Sequence, residues 1–495
     1  MTSPTSPPHS IRLSPLEGFM PRAYVRQIYC FPASNADAVS TLSRGLSGLA
    51  RDVPYILSRI VPETSGLGPG ITVSTPCLSA KDIFSWHDLS NSIDYASLKA
   101  GHFPPGAFSD PGIIPPDSIP PYPGPPAVFL ARASVVEGGF ILCVAVHHAV
   151  TDITGFGALL KIWAAHCRDG SSRDIGFDAS WMDRAPLFSA PASSCSPSNS
   201  MSMPDLLHVA TPGELARSAA RSQAGKQKKY QTAIFYFPQH QLRALKDAVN
   251  KHVRSTESES WVSTSDILSS LLWSSIVEAQ ERSYPPGSNR SVTDEDTRNS
   301  ILSFPVQFRF ILRPPLPRDF LGAAFLMTIA KVLHRDICLL SRPQIEIDIE
   351  APVGAVDIPA LARVALAIRR STQKIDDAAV REVLAYLEAH PEINPEAPLI
   401  LGPPRFYADS SGTSVVSWAD QGIYELDWGG AVGRCDAVRL PKMGYERDPI
   451  VLPRVPSISS DDGGLEVIMS YEGSFMRTLI ECPVMRRFAV LRCLS

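Results

Sequence analysis

An uninterrupted apolar run, Gly139 to Val146, is the feature that most constrains how this chain can fold. Because the run has no polar face, it predicts a strand buried on both sides of a sheet. The segment that follows carries apolar residues at offsets of 0, 3, 4, 7 and 11 from Phe156, which form one face of a helix. The stretch from His147 to Gly155 therefore joins a buried strand to an amphipathic helix, as in an α/β fold.

The length of the chain, 495 residues, predicts two domains. The clearest change in composition is a Pro- and Ser-rich tract from Ser189 to Pro204, which has too little apolar surface to fold alone. We therefore predict a first domain over residues 1–188, a crossover linker over 189–225 and a second domain over 226–495. Strand and helix patterns alternate in both halves without a strict βαβ rhythm, which favours mixed sheets packed against helices.

Composition and charge exclude several classes of protein. The chain is 44% hydrophobic and 19% charged, as globular proteins are, and its net charge of −4 gives no general attraction to nucleic acid or membranes. No apolar run approaches the ~18 residues of a spanning helix, and the polar start is unlike a signal peptide. The nine cysteines are scattered without a CxxC pair, as expected of free thiols. We expect a cytoplasmic protein with no membrane or nucleic-acid partner.

His148 is the strongest candidate for chemistry. Among eleven histidines it alone has an acid four residues later, Asp152. An imidazole at the end of a stiff strand, with an ordinary pKa of about 6.5, can accept a proton from a hydroxyl or an amine near neutral pH. The chain has no GxSxG elbow, which disfavours a covalent acyl-enzyme. The pattern therefore favours direct attack of an acceptor on an activated acyl group.

Structural roles and a metal site are the alternatives at this turn. His147 and His148 could form a satisfied polar pair at the strand end, and Asp152 could serve as the N-cap of the next helix. The cap is compatible with a role in the site. A metal could use both histidines and Asp152, but adjacent histidines on a strand point to opposite sides and no third His or Cys lies nearby. We therefore predict no metal.

Several motifs together resemble one enzyme family. The segment from His147 to Gly155 resembles the HHxxxDxxG signature of the BAHD acyltransferases, whose relatives include chloramphenicol acetyltransferase and peptide-synthetase condensation domains. The segment Tyr424 to Gly430 resembles their DFGWG box. LSPL and MPR within Leu13 to Arg22, VQFR and PPLP within Val306 to Pro317, and an SW pair at Ser417-Trp418 occur in the family's order. The chain is most similar to the fungal trichothecene 3-O-acetyltransferase type.

This resemblance implies an α/β architecture of two chloramphenicol acetyltransferase-like domains with an active-site tunnel at their interface. It implies an acyl-CoA cosubstrate, acetyl-CoA by default, and no bound cofactor. The acceptor would be a hydroxyl of a small fungal-type natural product, and the enzyme would be a monomer. The alternatives are a condensation-type transferase that uses a carrier-protein donor, and a homologue that reuses the tunnel for other chemistry or for binding.

The resemblance also assigns roles to residues. His148 would be the general base, and the Trp418 indole N–H is the candidate donor to the tetrahedral oxyanion. Asp152 is the acidic residue of the HHxxxDxxG signature and thus part of the catalytic motif. It would form an ion pair with Arg309 and have a structural role there. Five further residues are expected to support the site with Arg309: His147, Gly155, Asp427, Trp428 and Gly429.

Three serines are candidates for contact with the acyl donor, namely Ser263, Ser265 and Ser417. For Ser263 and Ser265 the alternative is helix capping before Ile267, a role for which serine is well suited. Ser417 is disfavoured by strand alternation, which would aim it away from the side that Trp418 faces.

Overall fold

The computed structural model describes residues 11–32, 37–62, 71–116, 124–188, 203–209, 228–257, 259–283, 299–340, 356–390, 399–400, 411–456 and 463–495, with the single residues 213, 216 and 225. Its strands are β1 (Ile11–Arg12), β2 (Tyr24–Phe31), β3 (Ile60–Pro62), β4 (Ile71–Val73), β5 (Phe84–Asp88), β6 (Phe129–Val136), β7 (Gly139–His147), β8 (His208–Val209), β9 (Tyr230–Pro238), β10 (Asn299–Gln307), β11 (Phe325–Leu333), β12 (Leu399–Ile400), β13 (Ser411–Ser414), β14 (Val416–Ser417), β15 (Ala437–Arg439), β16 (Arg447–Val451), β17 (Gly464–Glu472) and β18 (Val490–Leu494). Its α-helices are α1 (Pro15–Gly18), α2 (Asp37–Asp52), α3 (Ala80–Ile83), α4 (Tyr95–Ala100), α5 (Ile153–Asp169), α6 (Gln239–Thr256), α7 (Thr264–Ser283), α8 (His334–Leu339), α9 (Ile358–Gln373), α10 (Asp377–Ala389), α11 (Gly473–Ile480) and α12 (Pro483–Phe488).

The apolar run forms β7, the middle strand of a five-stranded sheet with the order β15-β2-β7-β6-β5. Every residue of β7 is buried, and it pairs antiparallel with β2 and β6. Alternate side chains enter different cores, since Leu142 and Val144 pack with α5 while Ile141 and Cys143 pack on the other face. The predicted burial on both faces is confirmed.

The second half of the chain completes this first sheet. Strand β15, at residues 437–439, pairs antiparallel with β2 through partners such as Val438 and Tyr29. The predicted second domain, 226–495, thus supplies a strand to the sheet of the predicted first domain. The predicted linker, 189–225, lies largely outside the described residues, so the domain boundaries stay a prediction.

A second five-stranded sheet, β14-β16-β17-β9-β18, and a three-stranded sheet, β11-β10-β13, organise the second half. Their largest core packs against α6, α7 and α9 and buries Trp273, whose indole N–H donates to Ser300 at 2.8 Å. Leu16 and Ala149 from the first half also belong to this core. The two halves therefore share side chains across their boundary.

Local differences from the predicted elements have local causes. The apolar spacing of residues 42, 46 and 49 predicts one helix from Ala38 to Leu57, but the helix ends at Asp52 because Pro54 opens a separate 3-10 turn. The sequence of the region 415–440 also predicts strands, whereas the structure has only two short strands there, β14 and β15, around a turn-rich loop. The described residues include no helix long and apolar enough to cross a bilayer and no cluster of three metal-ligating side chains.

A buried ion pair joins the two large sheets. Arg439 of β15 donates from Nη1 to Oε2 of Glu466 in β17 at 2.6 Å, and their side chains are 3% and 1% exposed. Arg492 of β18 donates to the other carboxylate oxygen at 2.7 Å. Burial opposes ionisation of Glu466, but the two guanidinium groups hold its pKa below the ordinary value.

Replacing this carboxylate should destabilise the protein in a pH-dependent way. Glu466→Gln leaves Arg439 buried without its charge partner, so we expect unfolding in urea at pH 7 to lose about 3–5 kcal/mol. Because the folded pKa lies below the unfolded value, the Glu466 contribution is complete above about pH 4.5 and is lost as the pH falls through the folded pKa. The difference between parent and variant should shrink in that range, and equal stability at pH 7 would contradict this account.

Candidate active site

His148 lies at the junction of the two halves. Its backbone N–H donates to the carbonyl of Ala23 at 2.8 Å, and the chain then makes a 3-10 turn from His148 to Val150. Its side chain is partly exposed, and its ring centroid lies 6.3 Å from that of Phe325, the first residue of β11. The imidazole of the first half therefore faces the second half of the chain.

The surroundings of His148 keep its ring neutral near pH 7. Burial lowers the pKa of His148 below 6.5, and the positive charge of Arg447 acts in the same direction. The backbone of His148 and Thr151 and the carboxylate of Asp152 oppose the shift without reversing it. A neutral imidazole can accept a proton, which is the state that a general base requires.

His147 differs from its neighbour in being fully buried. Its Nδ1 accepts from the N–H of Ala149 at 3.3 Å, and its ring meets that of Tyr24 edge-on at 5.4 Å. Burial lowers the pKa of His147 to about 4, and the charges of Arg22 and His148 add to this shift. A neutral His147 therefore acts as an acceptor for the backbone of the turn.

Asp152 binds Arg309 through both carboxylate oxygens. Arg309 Nη1 and Nη2 donate to Oδ2 and Oδ1 at 2.7 Å each, so the ion pair predicted from the sequence is present. Oδ1 also accepts from the N–H groups of Thr154 and Gly155 at 3.0 Å, which caps helix α5. Burial raises the pKa of Asp152, but the Arg309 charge and these hydrogen bonds more than compensate and lower it overall.

The same pair reaches the segment 320–324, which leads into β11. Arg309 Nη2 donates to the carbonyls of Phe320 and Gly322 at 3.0 and 2.9 Å, and the N–H of Ala324 donates to Asp152 Oδ2 at 2.9 Å. Gly155 permits this approach, because a Cβ there would lie 2.6 Å from the carbonyl oxygen of Leu321. The 148–152 turn and the start of β11 are thus fixed to each other.

Trp418 follows β14 and is 6% exposed, with its backbone N–H donating to Val451 at 2.8 Å. Its side chain packs in a cluster that Ile153, the first residue of α5, also contacts. Three residues later, Gln421 donates to the carbonyl of Ile153 at 3.2 Å and exchanges two hydrogen bonds with Gln27 of β2 at 2.8 and 3.0 Å. The loop after Trp418 is therefore fixed to the start of α5.

The DWGG box, residues 427–430 of the segment that resembles the DFGWG box, packs at the end of α5 away from Asp152. Trp428 is 1% exposed and contacts the rings of Phe31 and Trp163, with centroids 6.0 and 5.4 Å away. The N–H of Gly429 donates to Asp427 Oδ1 at 2.9 Å, which closes a turn. A Cβ on Gly429 would meet Arg168, so the box lies beside that residue of α5. Arg168 follows the Asp152 cap by about 16 helical positions, or ~24 Å. The box supports the helix and does not reach His148.

The three serines lie in different environments. Ser263 forms a reciprocal cap with Asp266, accepting from its N–H at 3.2 Å and donating to its carboxylate at 2.8 Å. Ser265 is exposed, and so is Ser417, whose hydroxyl accepts from Ala419 at 3.4 Å. The capping alternative for Ser263 is thus realised, and donor contacts by all three stay predictions.

Neutralising Asp152 should destabilise the fold as well as the site. Asp152→Asn keeps the size of the side chain but leaves Arg309 buried without a counter-charge, so we expect a loss of about 3–5 kcal/mol in urea unfolding at pH 7. The control is Asp319→Asn, which breaks the more exposed pair with Lys161 and should cost less than about 1 kcal/mol. Equal losses in the two variants would refute the buried-pair interpretation.

Gly429→Ala should destabilise the protein by about 1–3 kcal/mol. The residue has a φ of 86°, and its new Cβ would lie 3.0 Å from the Arg168 Cα atom. Gly430→Ala is a matched control, because a Cβ there would meet nothing within 4 Å. Thermal unfolding of both variants checks the prediction, and an equally small effect at the two positions would contradict it.

Comparison with known proteins gives two family matches. Residues 125–479 match the Transferase family, and residues 24–167 match the trichothecene 3-O-acetyltransferase-like N-terminal domain. The first match alone covers well over half of the chain, and it includes the 148–152 turn, Arg309, Trp418 and the DWGG box.

Relatives and a solved structure extend over almost the whole chain. O-acetyltransferase ptmV of Penicillium ochrochloron is 26% identical over 507 residues, which cover 97% of this chain and 96% of the relative. Trichothecene 3-O-acetyltransferase TRI101 of Fusarium sporotrichioides is 24% identical over 470 residues, or 89% of each chain. The crystal structure of F. graminearum TRI101 complexed with coenzyme A and T-2 mycotoxin superposes with a TM-score of 0.71 at 20% identity, covering 98% of this chain and 100% of that one. The predicted fold class is confirmed, and the chain belongs to the Transferase family, the family of the BAHD acyltransferases.

Proposed function

We propose that this chain is a CoA-dependent O-acyltransferase that moves an acyl group, acetyl by default, from a CoA thioester to a hydroxyl of a small natural product. The observation that carries the proposal is His148, a neutral and partly exposed imidazole held by a buried turn at the junction of the two halves. The O-acetyltransferase names of the relatives, and the coenzyme A and T-2 mycotoxin bound in the F. graminearum TRI101 crystal structure, support a CoA donor and a small-molecule acceptor.

In this reaction His148 accepts the proton of the acceptor hydroxyl as its oxygen attacks the thioester carbonyl. The new C–O bond gives a tetrahedral oxyanion, and a preorganised donor there lowers the barrier because the charge develops only in the transition state. The Trp418 indole N–H is our candidate for that donor. Collapse of the intermediate breaks the C–S bond, and the CoA thiolate takes the proton from His148.

The hydrogen bonds of Asp152 argue for a positioning role in this mechanism. Both carboxylate oxygens already bind Arg309, and backbone N–H groups of Gly155 and Ala324 occupy them further. A carboxylate so engaged, with a pKa held low, does not take a proton at neutral pH. Asp152 therefore fixes the turn that carries His148, and His148 alone transfers the proton.

The proposal extends to a monomer in the cytoplasm that uses no bound cofactor and no nucleic-acid or membrane partner. The modest net charge and the globular composition support the absence of nucleic-acid and membrane partners, and the scattered cysteines without a CxxC pair support a reducing compartment. A CoA donor is favoured over a carrier protein because the related TRI101 crystal structure contains coenzyme A.

The test is thiol release from acetyl-CoA in the presence of a panel of hydroxylated natural products. His148→Ala should lower kcat ~100-fold or more, since it removes the general base. The control is His87→Ala, an exposed histidine on the edge strand β5, which should retain parental kcat. A His148→Ala variant as active as the parent would refute the mechanism.

The pH profile adds an independent measurement. Since the base must be neutral, kcat/KM should fall as the pH drops through the pKa of His148 and should stay flat above it. Burial lowers that pKa, so the midpoint should lie below 6.5. Longer acyl-CoA and acyl-carrier donors in the same assay determine the donor class, and a preference for the carrier would overturn the CoA assignment.

A further inference from the structure

A second buried arginine–carboxylate pair lies beside the Asp152–Arg309 pair. Glu17, in the short helix α1, is fully buried, and Arg184 is 4% exposed. Arg184 Nε donates to both carboxylate oxygens of Glu17, at 3.1 and 3.0 Å. Neither residue belongs to the HxxxD, SW or DWGG motifs, and the two are 167 positions apart in the chain.

This second pair binds the same two segments as the first. Arg184 Nη2 donates to the carbonyl of Val150, inside the 148–152 turn, at 3.0 Å. The N–H of Ala323 donates to Glu17 Oε1 at 3.2 Å, while the next N–H, that of Ala324, donates to Asp152. Consecutive amides of the 320–324 segment therefore bind one carboxylate each.

The two pairs also share an aromatic neighbour. The Phe320 ring lies 6.0 Å from the guanidinium carbon of Arg184 and 5.8 Å from that of Arg309. Phe320 is fully buried, so both cations are desolvated on that side and attracted to its ring. Buried ion pairs contribute little net stability compared with apolar packing, whereas they define geometry through directional bonds.

We propose that Glu17 and Arg184 are positioning residues for His148. They hold the Val150 carbonyl and the Ala323 amide together, so that the turn carrying His148 keeps one place relative to β11. This inference rests on the proposed function, in which His148 is the base. Neither residue contacts the reacting groups, and their effect should appear in the rate of the chemical step rather than in substrate binding.

Arg184→Lys tests the proposal directly. A lysine keeps the positive charge beside Glu17, but its single ammonium lacks the fork that spans Glu17 and Val150. We expect kcat to fall about 10-fold, because even a small displacement of a catalytic group raises the barrier of the chemical step. KM for acetyl-CoA and for the acceptor should change less than about 3-fold. Assays are run at least 15 °C below the melting temperature of each variant, with the folded state checked by circular dichroism.

The matched control is Arg439→Lys. It makes the same substitution in the other buried arginine–glutamate pair, Arg439–Glu466, whose hydrogen bonds within the described residues reach neither the 148–152 turn nor the 320–324 segment. We expect it to lower the melting temperature and to leave kcat of the folded enzyme at the parental value. An equal loss of kcat in both variants would show general softening and would overturn the proposal.

Two further outcomes would also overturn it, namely parental kcat in folded Arg184→Lys, or a change confined to KM.

If Arg184→Lys does not fold, Glu17→Asp replaces it. This variant keeps the charge but withdraws the carboxylate from Ala323 by one methylene, and the same kcat-selective loss is expected, with parental kcat refuting the proposal. The parent and His148→Ala are measured in the same assay. If the parent transfers no acyl group, or if transfer does not depend on His148, the proposed function itself has failed.

Discussion

The bidentate bond between Asp152 and Arg309 is the interaction on which the site depends. A buried carboxylate is tolerated only when its lone pairs are occupied, and here a guanidinium fork and backbone amides occupy them. Because those amides belong to the start of α5 and to the segment before β11, satisfying one charge joins two distant parts of the chain. The orientation of His148 is a consequence, since the imidazole lies on the turn between the strand and this anchored carboxylate.

The two halves of the molecule are interleaved, and the site lies where they share structure. The second half contributes β15 to the first sheet and Trp428 to its core, while Leu16 and Ala149 of the first half enter the large second core. The Arg439–Glu466 pair then connects the two large sheets directly. The two predicted parts of the chain, residues 1–188 and 226–495, therefore share one sheet and two cores.

Local patterns predicted the part of the site that is contiguous in sequence. The apolar run and the 3.6-residue period gave β7, the turn and α5, and the family motifs gave the Asp152–Arg309 pair across 157 positions. Other long-range polar contacts carried no such signal. Glu17 is also the capping-box partner of Ser14, and this local role accounts for a glutamate at that position. The sequence therefore gives no reason to expect its bond to Arg184. Gln27 is the exception, because a glutamine in the otherwise apolar end of β2 is a buried polar group that must find a partner.

The position of β15 has a consequence for how the chain is made. The other four strands of its sheet are complete at residue 147, whereas β15 ends at residue 439, 292 positions later. At roughly 5–20 residues per second, synthesis of the chain between these two positions takes about 15–60 s. During this interval the outer edge of β2 has no partner strand for its amides and carbonyls. During that time the nascent first half presents a template for unwanted strand pairing.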